Sequence, residues 1–538
     1  MASIAPSSGH PLFLLASHAA GQDRELARRF ERLLRSGGKA ESARKAAEVA
    51  IAAGQPRWAD ELLLLAGDSA RVSATMARRK WYDGDMTGAV DLLQGRVGQP
   101  AKQRLRLESE LRVFSGWKPT LQFAPSTSVD RRVLHLLTNS VPHTGSGYAR
   151  RSHSILNAQQ DAGWDTLAVT RWGYPVQIGA LTAKKRDIVE GVRYERILPD
   201  RMESTMDGRL QQQAFQLLTL AKDFRPSVLH TTTHFVNGLV AREVANALDK
   251  PWVYEVRGQL ADTWASSRDQ AARSSERYRL FTAREAEVML AADLVVTLGE
   301  TMKRNIVAMG VPDCKILISP NAVGDAYLEA PLTHQEARCA LRLDPDDLYI
   351  GTVSSLVGYE GLDDLVTSFA LLAPRLPKLK LILVGDGAAA PALRDQVQRL
   401  GLAGRTIFTG RVSPQQARLY HLALDVFVVP RKDSAVTQAV TPLKPVEALA
   451  SARPVVASDL DALREIVRDG VNGRLTKAEE PALLAEVLHE LLEDKGLRER
   501  LGSEGREFVL ATRTWKANAA AYGRAYESLV SSYRRRVS

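Results

Sequence analysis

The sequence predicts an α/β protein with two doubly wound parallel-sheet domains facing a cleft, preceded by an all-α domain. Three observations carry this. Short, wholly apolar runs alternate with helical patterns in two separate series, as expected for strands buried on both faces of a parallel sheet. Residues 1–118 lack such runs and instead step their apolar residues by three and four. Between the two textures, residues 119–131 carry prolines and a polar cluster and read as a linker.

In the helical domain, Leu26, Phe30, Leu33 and Leu34, then Ala46, Val49, Ala50 and Ala53, share helix faces. Helices are expected over residues 43–54, 58–65, 77–83 and 89–93, broken at Ala53-Gly54-Gln55-Pro56 and Asp83-Gly84-Asp85. The pairs resemble tetratricopeptide-like repeats, although no clean 34-residue period survives. Either the domain packs on its own chain, or it offers a surface to a protein partner. The apolar run at residues 11–17 reads as the start of a helix: no Lys or Arg precedes it, as a secretory signal requires.

The first β/α series, residues 132–328, places strands at 132–138, 166–170, 227–230, 252–255 and 294–297. The second, residues 329–512, places them at 349–353, 379–384, 406–408, 426–429 and 454–457, with helices at 363–372, 390–400, 414–422 and 444–450 between. A charged helix at 515–533 and the basic tail Arg534-Arg-Arg536 fill residues 513–538. In such sheets, ligands bind beyond the carboxyl ends of the strands.

Composition narrows the function. Of 538 residues, 37 are Gly and 24 Pro, an ordinary share that excludes collagenous and wholly disordered classes. The two cysteines cannot build a disulfide framework or a four-ligand zinc site, which suits a reducing cytosol, with peripheral contact at the inner face of a membrane left open. A net charge of +10 favours acidic partners. Nucleic acid is disfavoured, because the basic residues are dispersed without interleaved aromatics.

Four segments carry chemistry. Gly145 and Gly147 follow a strand and open a helix, so backbone N–H groups there can face an anion. It is not the dinucleotide fingerprint, whose third glycine falls on Arg150. Gly385 and Gly387 let the backbone approach a ligand, with Asp386 as a helix cap, and Arg411 and Val412 follow a strand end. Each of these also reads as plain turn chemistry. In the segment 430–459, Lys444 and Glu447 share a helical first turn: an ammonium for a diphosphate and a carboxylate for ribose hydroxyls, or simply an exposed lysine and a capping charge.

Taken in order, the motifs from Arg132 onward resemble the family-4 glycosyltransferases of the GT-B fold. They include Pro142-His-Thr-Gly-Ser-Gly-Tyr, Val253-Tyr-Glu-Val-Arg-Gly, Tyr359-Glu-Gly-Leu-Asp, Leu383-Val-Gly-Asp-Gly, Phe408-Thr-Gly-Arg-Val, Pro442-Leu-Lys-Pro-Val-Glu-Ala and Arg453-Pro-Val-Val-Ala-Ser-Asp. The resemblance implies two Rossmann-like domains and transfer of a sugar from a nucleotide-diphosphate-sugar donor, held mainly by the C-terminal domain. The acceptor would be a cell-envelope glycan, lipid or small molecule on the N-terminal domain. Retention at the anomeric carbon is implied, with neither metal nor cofactor.

The resemblance is uneven residue by residue. Of the family's E-x(7)-E signature, Glu447 matches, while the first Glu falls on Ala439, leaving the loop Val440, Thr441, Leu443 and Lys444 to supply backbone N–H groups. The Arg and Lys that clamp the diphosphate align with Ser355 and Glu360, so Arg431 and Lys444 are the expected replacements. The family's strand-end histidine aligns with Arg257. Lys444, Glu447 and Arg257 are therefore the candidate catalytic residues. Ser354, Ser355, Gly385, Asp386, Gly387, Arg411, Val412, Arg431, Gly145 and Gly147 join the donor loop, and His143, Tyr148 and His234 face the acceptor. The rival reading is a catalytically weak scaffold of the same fold, binding a partner or polymer through its helical domain.

Overall fold

The apolar runs of both series pair as parallel strands with both faces covered. In the computed structural model, which describes residues 11–19, 23–35 and 39–537, the first sheet contains β1 (Arg132–Leu137), β2 (Asp165–Thr170), β3 (Arg186–Val189), β4 (Val192–Arg196), β5 (Val228–Thr232), β6 (Trp252–Glu255), β7 (Leu294–Thr297) and β8 (Ile316–Ile318). Its order is β3-β4-β2-β1-β5-β6-β7-β8, and only the β3–β4 hairpin is antiparallel. The second sheet contains β9 (Leu348–Val353), β10 (Leu379–Val384), β11 (Thr406–Gly410), β12 (Val426–Val429), β13 (Val455–Ser458) and β14 (Gly473–Thr476). All its pairings are parallel, in the order β11-β10-β9-β12-β13-β14. The strand order reverses between β1 and β5 and between β9 and β12, and those switch points are where a ligand finds a crevice.

The expected strands appear within two residues of their predicted ends, and four more, β3, β4, β8 and β14, were not foreseen. β3 and β4 alternate exposed and buried positions and carry Arg186, Asp187, Arg193 and Glu195, so no apolar run marks them. β8 has three residues, and β14 begins on a glycine.

Contacts group the chain into two compact units. One comprises Met1–Thr120, Asp200–Ala214 and Leu260–Glu287; the other comprises Leu121–Pro199, Phe215–Gln259 and Val288–Ser538. The first unit thus takes in two segments that the sequence reading placed within the first β/α series.

The first unit holds the helices Pro11–Ala19, Asp23–Arg35, Ala40–Ala52, Pro56–Leu65, Ala70–Asp83, Met86–Asp91 and Gln99–Phe114. The residues before Pro11, where a leader's positive charges would sit, lie outside the described residues. Leu26, Phe30, Ala46, Val49, Ala50 and Leu62 form the core of its first half. Its two inserted segments are held by specific pairs. Asp207 takes hydrogen bonds from Ser109 and Arg112, Glu276 accepts from the Thr87 N–H at 2.8 Å, Arg284 donates to the Trp117 carbonyl at 2.7 Å, and Phe281 packs edge-on against Phe114. Beneath the helix Leu260–Ser266, buried Glu285 accepts from the Leu260 N–H at 3.3 Å.

Within the second unit, one buried cluster joins the first sheet to the crossover beyond β8. Glu255, at the end of β6, is fully buried between Arg151 (Nε to Oε1, 2.9 Å) and Arg257 (Nη2 to Oε2, 2.9 Å). Burial pushes its carboxyl up, but the two guanidiniums overcome that and hold it well below the usual carboxylate range. Arg151 also donates to the carbonyls of Ser319 (2.7 Å) and Pro320 (3.0 Å) and to Asn321 Oδ1 (3.2 Å). Behind it, His230 Nδ1 meets the Tyr526 hydroxyl at 2.5 Å, which ties in the helix Trp515–Val537. Glu465 closes the other side by accepting the N–H groups of Glu300 (2.9 Å) and Thr301 (2.8 Å), at the start of the helix Glu300–Ala308. No helix among the described residues is long and apolar enough to cross a membrane.

Burial raises the Glu285 carboxyl from its ordinary 4.5 to about 8, so the fold favours the protonated form. Its stabilising contribution is complete below pH 4.5 and is lost as pH climbs through that window to about 8. Glu285→Gln should therefore flatten the stability profile across that window and raise stability at pH 9 by about 1–3 kcal/mol. Calorimetry of both proteins at pH 6 and pH 9 checks this; parallel profiles contradict it.

Candidate functional site

At the β9–β12 switch point, three of the segment's charged side chains meet. Glu360, in the short 3-10 turn Gly358–Glu360 after β9, is only 3% exposed. Arg431, just past β12, grips its carboxylate twice, Nη2 to Oε1 at 3.1 Å and Nε to Oε2 at 3.3 Å. Lys444 Nζ reaches the same Oε1 at 2.7 Å from the first turn of the helix Lys444–Ala450. Burial pushes the Glu360 carboxyl up, and Arg431 and Lys444 outweigh it, holding it at about 2. Two cations around one carboxylate leave the cluster with one net positive charge.

The two cations are not equivalent, and this corrects the sequence reading. Arg431 is 6% exposed, and its third bonded group, Nη1, donates to the Val440 carbonyl at 2.9 Å. Each of its three nitrogens thus bonds protein, and it serves as a strut between strand-end loops. The Lys444 side chain keeps 21% of its surface open and makes one of the three hydrogen bonds that an ammonium offers.

Gly385 and Gly387 are also explained differently. A Cβ on Gly385 (φ +129°) would lie 1.8 Å from the Ser354 carbonyl oxygen, and one on Gly387 would lie 2.3 Å from that of Leu356. The close approach these glycines allow is between the loops after β10 and β9. Asp386 does not cap a helix: its Oδ1 accepts from Gly387 N–H at 2.9 Å, and the helix Ala390–Arg399 begins only later, with Ala389 as its N-cap residue. Ser355 and Arg411 are exposed, and Ser354 is buried with its hydroxyl on the Ser355 carbonyl at 2.9 Å. Val412 packs at the edge of the core.

Glu447 stands one turn along from Lys444 and is partly exposed. Behind it, fully buried His421 brings Nε2 to 3.7 Å from its carboxylate while stacking on Phe427. The donor loop before it is held from the first sheet's side, where Asn321 Nδ2 donates to the Thr441 carbonyl at 2.9 Å. Leu443 immediately precedes the helix as its N-cap residue. Ala439, which occupies the first Glu position of the family signature, is buried and ends the short helix Ala435–Ala439.

On the first sheet, Gly145 and Gly147 sit in open space: a Cβ at either meets nothing within 4 Å. The helix Gly147–Asp161 is capped by Ser146, which accepts from the Ala149 N–H at 3.3 Å. Tyr148 is 47% exposed; its hydroxyl donates to the Arg257 carbonyl at 3.2 Å, and its ring lies within electrostatic reach of Arg431 and Tyr359. The carboxyl ends of the two sheets meet there.

Arg257 was expected to face substrate. It is 3% exposed instead, and it spends its guanidinium on Glu255, the Tyr148 carbonyl (3.1 Å) and the Ser152 hydroxyl (2.7 Å). It acts on the site by fixing the turn that carries Tyr148. His143 Nε2 lies 3.2 Å from Asp187, which Arg196 also holds, and His234 caps the helix Phe235–Leu248 through Nδ1 to the Val236 N–H at 3.4 Å. Three participants escaped the sequence reading. Glu360 stood only as a departure from a motif, while Asn321 and Arg151 act across about 120 and 170 residues of chain, a separation that local pattern does not reveal.

Two parallel Rossmann-type sheets whose switch-point loops share one mouth define the GT-B class of architecture. The family models agree: "Glycosyl transferase 4-like domain" matches residues 146–322 and "Glycosyl transferases group 1" matches 334–508, together nearly two thirds of the chain. The chain belongs to this glycosyltransferase family. It is 25% identical over 307 residues to an alpha-monoglucosyldiacylglycerol synthase of Streptococcus pneumoniae, covering 55% of this chain and 66% of that protein. It is 33% identical over 201 residues to a phosphatidyl-myo-inositol mannosyltransferase of Mycobacterium tuberculosis, covering 36% and 51%. The chain thus spans about half to two thirds of the length of these curated relatives. Among solved structures, a sucrose-phosphate synthase of Thermosynechococcus elongatus superposes with a TM-score of 0.62 at 20% identity, over 74% of this chain and all of that one. Anabaena HepE in complex with UDP-glucose gives 0.59 at 17% identity, again over 74% of this chain and all of the other. At such identities the likeness is one of fold.

The glycines supply a test of the local geometry. Gly387→Ala should cost about 2–4 kcal/mol, because the added methyl meets a backbone carbonyl that cannot give way. Gly145→Ala should stay within about 0.5 kcal/mol of the parent, having nothing to strike. Urea denaturation of the two variants side by side measures the contrast; equal losses refute it.

Proposed function

We propose that the protein is a glycosyltransferase that moves a sugar from a nucleotide-diphosphate-sugar donor to a hydroxyl of a cell-envelope glycan, a lipid or a small molecule. The observation that carries this is the first turn of the helix Lys444–Ala450, which sets an accessible ammonium and a carboxylate together at the β9–β12 switch point. Lys444 takes the diphosphate and Glu447 the ribose hydroxyls. The N–H groups of the loops at Ser354–Ser355, Gly385–Gly387 and Val440–Leu443 surround the phosphates, with Arg411 and Val412 lining the base side, and Gly145 and Gly147 open a path for the donor from the other sheet. Arg431 shapes this surface from below. Tyr148, His143 and His234 border the acceptor side, with Arg257 holding Tyr148 in place.

In this reading the anomeric carbon loses its bond to the β-phosphate oxygen and gains one to the acceptor oxygen, on the same face. The acceptor's proton passes to the departing phosphate. The charge that develops on the diphosphate meets Lys444 and oriented N–H dipoles, with neither metal nor cofactor taking part, and positioning supplies the rest of the rate. The names of the relatives, a diacylglycerol glycolipid synthase and a phosphatidylinositol mannosyltransferase, favour a lipid-linked acceptor. That acceptor suits a cytoplasmic protein working at the inner face of a membrane, with the helical unit available to a protein partner.

Glu447→Ala should lower transfer by about ten- to a hundredfold while the unfolding transition stays in place, since removing a charged hydrogen bond to substrate costs about 1.5–3 kcal/mol. Lys444→Ala should weaken nucleoside diphosphate binding by about 1–3 kcal/mol in titration calorimetry. A panel of nucleotide-sugars, scored by hydrolysis and thermal shift, identifies the donor. Full turnover in Glu447→Ala refutes the site. Tight diphosphate binding without turnover on any donor favours the scaffold reading, toward which the buried Ala439 and the engaged Arg431 point.

A further inference from the structure

Glu360 is an acid where a diphosphate site calls for a base, yet it is enclosed by the site's own cations. Both its oxygens are occupied, Oε1 by Lys444 and Arg431 and Oε2 by Arg431, and it is buried, so the site's own cations take most of its accepting capacity. Its surroundings are built around it. Gly361 follows in the left-handed region (φ +67°), and a Cβ there would lie 1.8 Å from the Pro430 carbonyl oxygen, so the turn carrying Glu360 is pressed against the chain leading into Arg431. Lys432, the next residue, bridges Asp363 (2.9 Å) and Asp364 (2.7 Å) just beyond Glu360, fastening the same two loops a second time. An acid placed there at random would repel a diphosphate. An acid held this firmly by Arg431, and holding Lys444, has a mechanical use.

We propose that Glu360 is a positioning residue: braced by Arg431, its carboxylate fixes the Lys444 ammonium, in place and in its charged form, as the phosphate-facing cation of the β9–β12 switch point. The inference rests on the donor-site reading given above. A free lysine side chain loses rotamer freedom when it is immobilised on a ligand, and a carboxylate that pre-orders it removes part of that cost from binding. The carboxylate also keeps the charge. Burial and Arg431 pull the Lys444 ammonium below the ordinary lysine value, and Glu360 is the main group that opposes them, with Glu447 on Lys444's own helix adding to it. The charged groups facing Lys444 are thus Glu360 and Arg431 across the strand ends and Glu447 along the helix, with His421 behind Glu447.

The sign of the pH dependence follows. Anion binding needs charged Lys444, so affinity is full below its value in the free protein and falls as pH rises through it. Removing the Glu360 charge lowers that value and moves the fall to lower pH. The test is calorimetric titration of the full chain with UDP and with GDP between pH 7.5 and 10, where the terminal phosphate, with its second ionisation near 6, is already dianionic. Wild type, Glu360→Gln, Lys444→Met and the double variant are compared. Glu360→Gln is expected to move the alkaline fall to lower pH, so that its loss of affinity relative to wild type grows severalfold between pH 7.5 and pH 9.5. Lys444→Met leaves only the fall that ionisation of the uracil or guanine N–H itself imposes at alkaline pH, and in that background Glu360→Gln changes affinity by the same factor at every pH. A fall left in place in Glu360→Gln, or one as steep without Lys444 as with it, overturns the proposal while leaving the donor site standing. A wild type that binds neither nucleotide overturns both. Should Glu360→Gln fail to fold, Glu360→Asp serves. It keeps the charge but withdraws it by one methylene, and it should weaken binding at every pH only when Lys444 is present; an equal loss in both backgrounds overturns the proposal.

Discussion

The placement of the site depends on one buried carboxylate. Glu255 pulls Arg151 and Arg257 to the end of β6, and through them reaches two separate stretches of chain: the helix Gly147–Asp161, including its first turn at Tyr148, and the crossover Ser319–Asn321. Asn321 in turn holds the Thr441 carbonyl. The position of the Thr441 peptide is therefore tied to an ion cluster at the carboxyl end of the other sheet. Breaking a buried cluster of this kind leaves an uncompensated charge and costs about 3–5 kcal/mol, far more than any surface pair in the molecule. Its desolvation is compensated only because each guanidinium also finds carbonyl or hydroxyl acceptors.

The second sheet uses the same arrangement with the sign of exposure reversed. Around Glu360 two cations meet one acid, and the surplus positive charge sits on the partner that keeps a path to solvent. Arg431 is buried with each of its nitrogens bonded; Lys444 is only partly buried and makes a single hydrogen bond. A planar guanidinium suits the role of strut, gripping a carboxylate with two donors and a carbonyl with a third, whereas the ammonium is a compact charge whose remaining donors can turn outward. Of the chain's ten surplus positive charges, this cluster accounts for one.

The architecture was largely legible, because parallel strands covered on both faces must be apolar throughout: Leu379–Val384 and Val426–Val429 announce themselves that way. β3 and β4 did not, since an edge hairpin with one wet face alternates Arg186, Asp187, Arg193 and Glu195 among its apolar residues. At the site, the pairing of Lys444 with Glu447 was readable from a helical first turn, a local feature. Which cation stays available was not. Arg431 and Lys444 look alike in sequence, and only the fold shows that Val440 and Glu360 engage all three nitrogens of the first. Arg257 misled for the same reason: its partner Glu255, at the end of β6 two residues earlier, takes the charge that seemed free for substrate.

Glu465 reaches out of the second β/α series to cap a helix of the first, and Gly299 lies directly under its carboxylate, where an added Cβ would come within 2.1 Å of Oε2. The glycine's backbone is ordinary extended chain, so local conformation alone admits any residue there. The constraint comes from the partner across the seam: a side chain at 299 would have to push the Glu465 carboxylate aside, and with it the two hydrogen bonds that cap the helix Glu300–Ala308. What looks like an indifferent position in the chain is thereby a keyhole, whose emptiness lets a residue 165 positions away reach its lock.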